Sequence, residues 1–310
     1  MTMYINGSMA YDRIMNFGGS FSDSILPDKI HIMNVSFMID RLEEKLGGCA
    51  GNIAYSLAVL GEKSVIVSCV GRDFARYEES LTQLGLPFDG IRRREDELTP
   101  GAYIITDINN NQITAFNPGA MRHSAEFAFA DAGPDDIVIV SPGNLDDMQA
   151  IPRICKQKGA KCIYDPGQQL PVLTGDDLVA AISGSYMLIC NDYEFELICT
   201  KSGKTAAELL AMTQNIIVTL GEKGSRVQSG ASTEMVPAAS PRQVVDPTGA
   251  GDAYRSGLLK GLSLGLSVVE AARIGSTTAS FCVEAHGTQA PFTLAECRQR
   301  HMETFGVTGF

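Results

Sequence analysis

Histidine is scarce in this chain, and basic residues are outnumbered. Only four of 310 residues are histidine. His31, His123, His286 and His301 are scattered and make no metal-ligand spacing, which argues against a metal centre built on imidazoles. Lysine and arginine total 25 against 36 acidic residues, a net charge of −11. A surface of that sign is poor for nucleic acid and for anionic membranes. It does not exclude an anion held locally by backbone N–H groups. No apolar run is long enough to span a bilayer. No N-terminal stretch joins a basic start, an apolar core and a cleavage site, so the chain reads as cytosolic. None of the eight cysteines (Cys49, Cys69, Cys155, Cys162, Cys190, Cys199, Cys282, Cys297) forms a C-x-x-C pair. Several lie in apolar runs, and reduced core thiols are expected rather than disulfides or a zinc site. Internal repeats and low-complexity segments are absent too.

What is present is an ordinary globular composition, 45% hydrophobic and 20% charged. Short apolar runs recur at Val65–Val70, Ile137–Val140, Cys162–Tyr164, Met187–Cys190 and Ile216–Thr219. Helical stretches separate them, as at Asn52–Leu60, Met148–Lys158 and Ala206–Met212. This alternation predicts an α/β fold with a mainly parallel sheet between helices. The strand ends run into Ser141-Pro142-Gly143-Asn144, Asp165-Pro166-Gly167, Asn191-Asp192 and Leu220-Gly221, the expected rim of a ligand site. Two stretches, about 14–46 and 99–117, break the alternation and read as extended. Tyr103–Thr106 and Gln112–Phe116 look like two arms of a hairpin. Both stretches are assigned to a small β lid on a single domain spanning 1–310. Val268–Glu284 reads as a further apolar helix.

Four motifs bear on chemistry. Asp246-Pro247-Thr248-Gly249-Ala250-Gly251-Asp252 leads into the apolar-periodic Ala253–Leu259, as a loop feeding a buried helix would. Its glycines let backbone N–H groups approach an anion, and the helix end favours negative charge. Asp252 is out of place beside an anion unless it takes a proton from a hydroxyl attacking phosphate; otherwise it caps a helix. Gly47-Gly48-Cys49-Ala50-Gly51-Asn52 precedes the helix Ile53–Leu60. It is either a close-approach turn with Asn52 as hydrogen-bonding group or a plain helix start. Asn191-Asp192-Tyr193-Glu194 suits either a hydrated Mg²⁺ or an N-capped acidic first turn. Thr219-Leu220-Gly221-Glu222-Lys223-Gly224 either flanks a nucleotide or makes a hairpin turn. Lys201-Ser202-Gly203-Lys204-Thr205 imitates the end of a P-loop, but Ile198 replaces the first glycine and no strand precedes it; it reads as a surface turn.

In this order the motifs resemble the ribokinase-like (PfkB) family of sugar and nucleoside kinases over essentially the whole chain. Asn6–Asp12, Asn117–Met121, Asp165–Leu170, Asn191–Glu194 and Asp246–Gly249 look like bacterial adenosine kinases of the mycobacterial type. The resemblance implies an ATP-dependent phosphotransferase with a three-layer α/β/α, Rossmann-like core and a β-sheet lid. It implies Asp252 as base toward the ribose 5′-hydroxyl of adenosine, giving AMP and ADP. The N–H groups of Gly249, Ala250 and Gly251 would form an anion hole. On the acceptor side it implies Asp12, Asn52 and Gly48 at the ribose and Phe116 with Gln168 or Gln169 at the base, with Ser8 and Ser36 also nearby. On the ATP side it implies Asn191, Thr219, Gly221 and Gly224, with Mg²⁺ near Glu194 through water and K⁺ near Asp246. A homodimer through the lid is also expected. The alternatives are a ribokinase-like sugar kinase, a nucleoside kinase of broader scope and a catalytically dead nucleotide sensor. An NAD-dependent dehydrogenase lacks its G-x-G-x-x-G after an early strand.

Overall fold

The computed structural model describes residues 1–307 and 310. In chain order it contains β1 (Met3–Asn6), β2 (Ala10–Phe17), α1 (Phe21–Ser24), β3 (Ile39–Gly47), α2 (Cys49–Val59), β4 (Ser64–Gly71), α3 (Ala75–Gln83) and β5 (Ile91–Arg94). Then follow β6 (Gly101–Thr106), β7 (Gln112–Asn117), β8 (Ile137–Val140), α4 (Leu145–Lys158), β9 (Lys161–Tyr164), α5 (Gly175–Ile182), β10 (Met187–Asn191) and α6 (Asp192–Ser202). The last elements are α7 (Ala206–Met212), β11 (Asn215–Thr219), β12 (Ser225–Ser229), β13 (Ser232–Val236), α8 (Ala250–Ser263), α9 (Val268–Cys282) and α10 (Leu294–Phe305). Among the described residues no helix is long and apolar enough to cross a membrane.

Nine strands form the large sheet in the order β13-β12-β11-β10-β9-β8-β1-β4-β5. The seven from β11 to β5 run parallel, and β12 and β13 close one edge antiparallel. Successive side chains of a strand point to opposite faces, and the strands use both. Ile5, Ile139, Ile189 and Ile217 pack on one face with Leu57 of α2, Leu258 of α8 and Ala272 of α9. Their neighbours Tyr4, Val138, Leu188 and Ile216 pack on the other with Met148 of α4, Leu178 of α5, Ile198 of α6 and Leu209 of α7. Burying each such aliphatic chain is worth about 1.5–3 kcal/mol, which explains why the runs are apolar throughout rather than alternating. The result is the expected three-layer α/β/α core.

The second sheet has the order β3-β2-β6-β7. Its β2–β3 and β6–β7 pairs are antiparallel, and β2–β6 is parallel. The predicted hairpin is β6–β7. The stretch 14–46 departs from the extended reading: it holds the helical turn α1 and a 3-10 turn at Pro27–Ile32. Phe21 of α1 packs with Phe17 and Phe37 at ring separations of 5.9 and 5.2 Å, so aromatic contact overrides the local extended tendency. The P-loop imitation is an interhelical turn. Gly203 ends α6 with φ +65°, and Thr205 caps α7 by accepting from Glu208 N.

Candidate active site

Two cavities of about 440 and 420 Å³ meet in the cleft between the main sheet and the lid. The first lies beyond the carboxyl ends of the parallel strands, walled by Asp165, Gly167, Asn191, Glu194, Thr219 and Gly221. The second lies under the lid, walled by Ser8, Asp12, Gly48, Asn52, Phe116, Gln169 and Thr288. Cys49, Pro142, Gln168, Gly249 and Asp252 line both. Asp252 therefore sits at the junction of the two cavities.

The backbone explains why the motif is glycine-rich. Gly249 is the N-cap of α8 with φ +84°, and a Cβ there would lie 2.8 Å from Thr288 Cα. A side chain would be strained and would clash. Ala250 differs from its neighbours in the expected anion hole. Its N–H donates to Pro247 O at 3.2 Å, and the residue lines neither cavity. The turn folds back on itself there, so the donors left open at this helix end are the N–H groups of Gly249, Gly251 and Asp252. Gly48 plays the matching part at the N-cap of α2, with φ +86° and no room for a Cβ against Ser8 O and Ala10 N.

Asp252 is held by a set of partners from distant parts of the chain. Asn52 Nδ2 donates to Asp252 Oδ2 at 2.8 Å, and Thr288 Oγ1 donates to Asn52 Oδ1 at 2.8 Å. Burial raises the carboxyl pKa to about 6. The Asn52 hydrogen bond and the Arg255 charge pull the other way, and the Asp165 charge adds to the rise. Arg255, one helical turn on, is buried in a bidentate pair with Asp165, and its Nη1 donates to Gly251 O at 2.9 Å. Under the lid, burial likewise raises Asp12, partly offset by Lys45 on β3.

The remaining predicted residues divide clearly. Ser8, in the turn before β2, accepts from Cys49 N at 3.1 Å and lines the lid cavity. Gln169 Nε2 donates to Gly143 O at 2.8 Å, while Gln168 reaches both cavities. Asn191 and Glu194 form a capping box on α6: Glu194 N donates to Asn191 Oδ1 at 2.7 Å and Asn191 N to Glu194 Oε2 at 2.8 Å. Both still face the strand-end cavity. Thr219 lines it too, donating to Cys190 O at 3.4 Å.

Three assignments fall away from the cavities. Ser36 is exposed three residues before β3, beyond the end of that strand opposite Gly47, and the strand alone is about 25 Å long. Gly224 lines neither cavity; its φ of +87° starts the return strand β12, and a Cβ would strike Val236 O. Asp246 instead pins two loops together, accepting from Thr248 N at 2.9 Å and Gly287 N at 3.2 Å. Burial opposes its ionisation, but these hydrogen bonds and His286 win and hold its carboxyl below the ordinary value. Among the described residues no group of three or more His, Cys, Asp or Glu side chains could hold a metal.

Arg255, Thr288 and Cys49 were not assigned roles from the sequence. Arg255 carried a signal: a charge inside an apolar helix must find a partner. Thr288 carried none, since its loop has no motif of its own.

The pfkB family carbohydrate kinase model matches residues 13–295. The nucleoside kinase of Methanothermobacter thermautotrophicus is 33% identical over 291 residues, 91% of this chain and 93% of its own. That of Methanocaldococcus jannaschii is 35% identical over 259 residues, 83% of this chain and 85% of its own. Burkholderia thailandensis nucleoside kinase in complex with inosine superposes with a TM-score of 0.86 at 37% identity, covering 99% of both chains. Its complex with ADP-inosine gives 0.85 at 38%, covering 99% of this chain and 97% of that one. With the family model spanning both glycine turns and the lid, and relatives of matching length alike in sequence and in fold, the chain belongs to the pfkB family of carbohydrate kinases.

Proposed function

We propose that this protein is an ATP-dependent nucleoside kinase that phosphorylates the ribose 5′-hydroxyl of a purine nucleoside, with adenosine giving AMP and ADP. The observation that carries this reading is the place of Asp252, the one ionisable carboxylate common to both cavities. ATP fits the strand-end cavity, with its γ-phosphate at the open N–H groups of Gly249, Gly251 and Asp252. The nucleoside fits under the lid, with Asp12 accepting from ribose hydroxyls and Phe116 against the base. Asp252 takes the proton of the 5′-hydroxyl as its oxygen attacks the γ-phosphorus. Positioning and charge stabilisation supply most of the acceleration.

Mg²⁺ suits the strand-end cavity only as a mostly hydrated ion, because Glu194 offers one carboxylate and no cage surrounds it. Held near Glu194 and Asn191, it would neutralise phosphate charge. K⁺ beside Asp246 belongs to the same proposal and is checked by comparing rates in K⁺ and Na⁺ salts. The role is a purine-salvage step in the cytoplasm, a reducing compartment that suits eight free cysteines.

The inosine complex of the Burkholderia thailandensis kinase favours a second reading, a scope that extends to 6-oxopurines. A primary amide such as Gln168 can present a donor or an acceptor, and so can meet either base edge. Two copies are proposed to meet through the lid. Leu42, Met15, Ile105 and Ile113 stand opposite one another across its four strands, on the face away from Asp12 and Phe116. Leu42→Glu should then shift sedimentation from dimer to monomer. The deciding assay is steady-state turnover of adenosine, inosine, guanosine, ribose and fructose 6-phosphate. Purine nucleosides should lead in kcat/KM; ribose turning over as efficiently as adenosine would overturn the assignment.

A further inference from the structure

The loop after α9 touches the turn before α8, the lid and the start of α8. Gly287 N donates to Asp246, Lys45 Nζ of the lid donates to His286 O at 3.2 Å, and Thr288 packs on Gly249. Thr288 Oγ1 has one proton and two acceptors in reach: Asn52 Oδ1 at 2.8 Å and Leu46 O of lid strand β3 at 3.2 Å. Asn52 is buried, and its other oxygen-side neighbour, Gln289 Nε2, is 3.5 Å away and already donates to Tyr77 Oη at 3.1 Å.

A carboxylate only accepts hydrogen bonds, whereas a carboxylic acid also donates one. With Asp252 ionised, Asn52 must turn its NH₂ toward it, and Asn52 Oδ1 then takes the Thr288 proton. With Asp252 protonated, the chain reverses: the acid donates to Asn52 Oδ1, Asn52 Nδ2 donates to Thr288 Oγ1, and the Thr288 proton goes to Leu46 O. Only an amide flip, which exchanges Asn52 Oδ1 and Nδ2, and a hydroxyl rotation are needed. We propose that Thr288 is a positioning residue for the base. Its hydroxyl orients Asn52 toward ionised Asp252, and it passes the arrival of the proton on to the lid strand. This rests on the reading of Asp252 as base. The other ionisable groups facing Asp252 are Arg255 on its own helix, Asp165 after β9, Cys49 on α2, Tyr77 on α3 and Cys282 on α9. None of them touches Thr288 Oγ1.

The test is the pH dependence of kcat/KM in Thr288→Val, which keeps the shape and removes the hydroxyl. Without the donor, Asn52 no longer holds its NH₂ on the base, so the acid limb should move up by about half to one pH unit. The kcat at neutral pH should fall roughly threefold to tenfold, with KM for ATP unchanged. Thr288→Ser should restore both, and Thr288→Cys, a weak donor of similar size, should lie between them and serves if the valine variant folds poorly. A wild-type acid limb in Thr288→Val and Thr288→Cys overturns the proposal. Carboxyl ¹³C titration, with Asp252→Asn identifying the signal, follows the same shift without turnover. If Asp252→Asn stays active, the base assignment has failed; if it is inactive and the limb is unmoved, only the role of Thr288 has failed.

Discussion

Arg255 and Asp165 form a buried bidentate ion pair directly beneath the turn that holds Asp252, and they come from positions 90 residues apart. The pair joins the end of β9 to the first turns of α8, and through Gly251 O it fixes the start of that helix. It also sets two opposite charges near the base. A buried charge stripped of its partner is costly, so Asp165→Asn should destabilise the protein by about 3–5 kcal/mol in urea unfolding. Replacing both by apolar residues of similar volume should cost far less. If the single variant unfolds like the wild type, the pair contributes no structural constraint.

The raised pKa of Asp252, about 6, gives two pH effects of different sign. In the proposed role as base Asp252 acts in its ionised form, so kcat/KM should fall about tenfold per pH unit below that value. Stability runs the other way. The unfolded side chain titrates near 3.9, so between about pH 4 and 6 the native state binds more protons, and its stability drops as pH rises through that window. By pH 7 the ionised carboxylate costs on the order of 2–3 kcal/mol. Asp252→Asn should therefore lose two or more orders of magnitude in turnover while melting higher than the wild type at pH 8. The difference in Tm should close toward pH 4. Equal Tm values across the range would mean that the carboxyl is not strained by burial.

Much of this site could be read from the chain because the chemistry is local. Gly249 and Gly48 announce themselves, since each must take a positive φ next to a close neighbour, and only glycine does so freely. Five of the seven parallel strands were visible as apolar runs because both of their faces are covered; β1 and the edge strand β5, Ile91-Arg92-Arg93-Arg94, were not. The contacts that tune the base were not legible. Thr288 reaches Asn52 across 236 residues, and nothing in a Gly-Thr-Gln loop foretells it. Asn191 and Glu194 were ambiguous for a physical reason: a capping box and a cation-facing pair use the same residue types at the same spacing. That Ser36 would stand outside the cavities was not legible, because Phe37 beside it is drawn into an aromatic cluster assembled by folding.

Phe116 lies across from Ala102, which pairs with Asp12, so the three share the cavity face of the lid. The ring is 50% exposed, which is costly for a side chain with no partner and apt for one that awaits a planar base. Phe116→Ala should raise KM for adenosine by roughly threefold to tenfold, the worth of one aromatic contact, and leave kcat nearly unchanged. Any residual turnover of ribose should be unaffected, because ribose has no base to stack. An equal loss on both acceptors would assign Phe116 to packing the lid instead.

Glu194 separates capping from cation binding in a single substitution. Its Oε2 accepts from Asn191 N, while burial, assisted by the Asp165 charge, holds the carboxyl above its ordinary pKa. Glutamine at this helix position still completes a capping box, so Glu194→Gln should change stability by less than about 0.5 kcal/mol. The negative charge facing the strand-end cavity is nevertheless gone. The Mg²⁺ concentration for half-maximal rate should rise roughly tenfold at fixed ATP, as expected when an outer partner of a hydrated ion is lost. Unchanged Mg²⁺ dependence with unchanged stability would confine Glu194 to its helix and move the cation elsewhere along the phosphates.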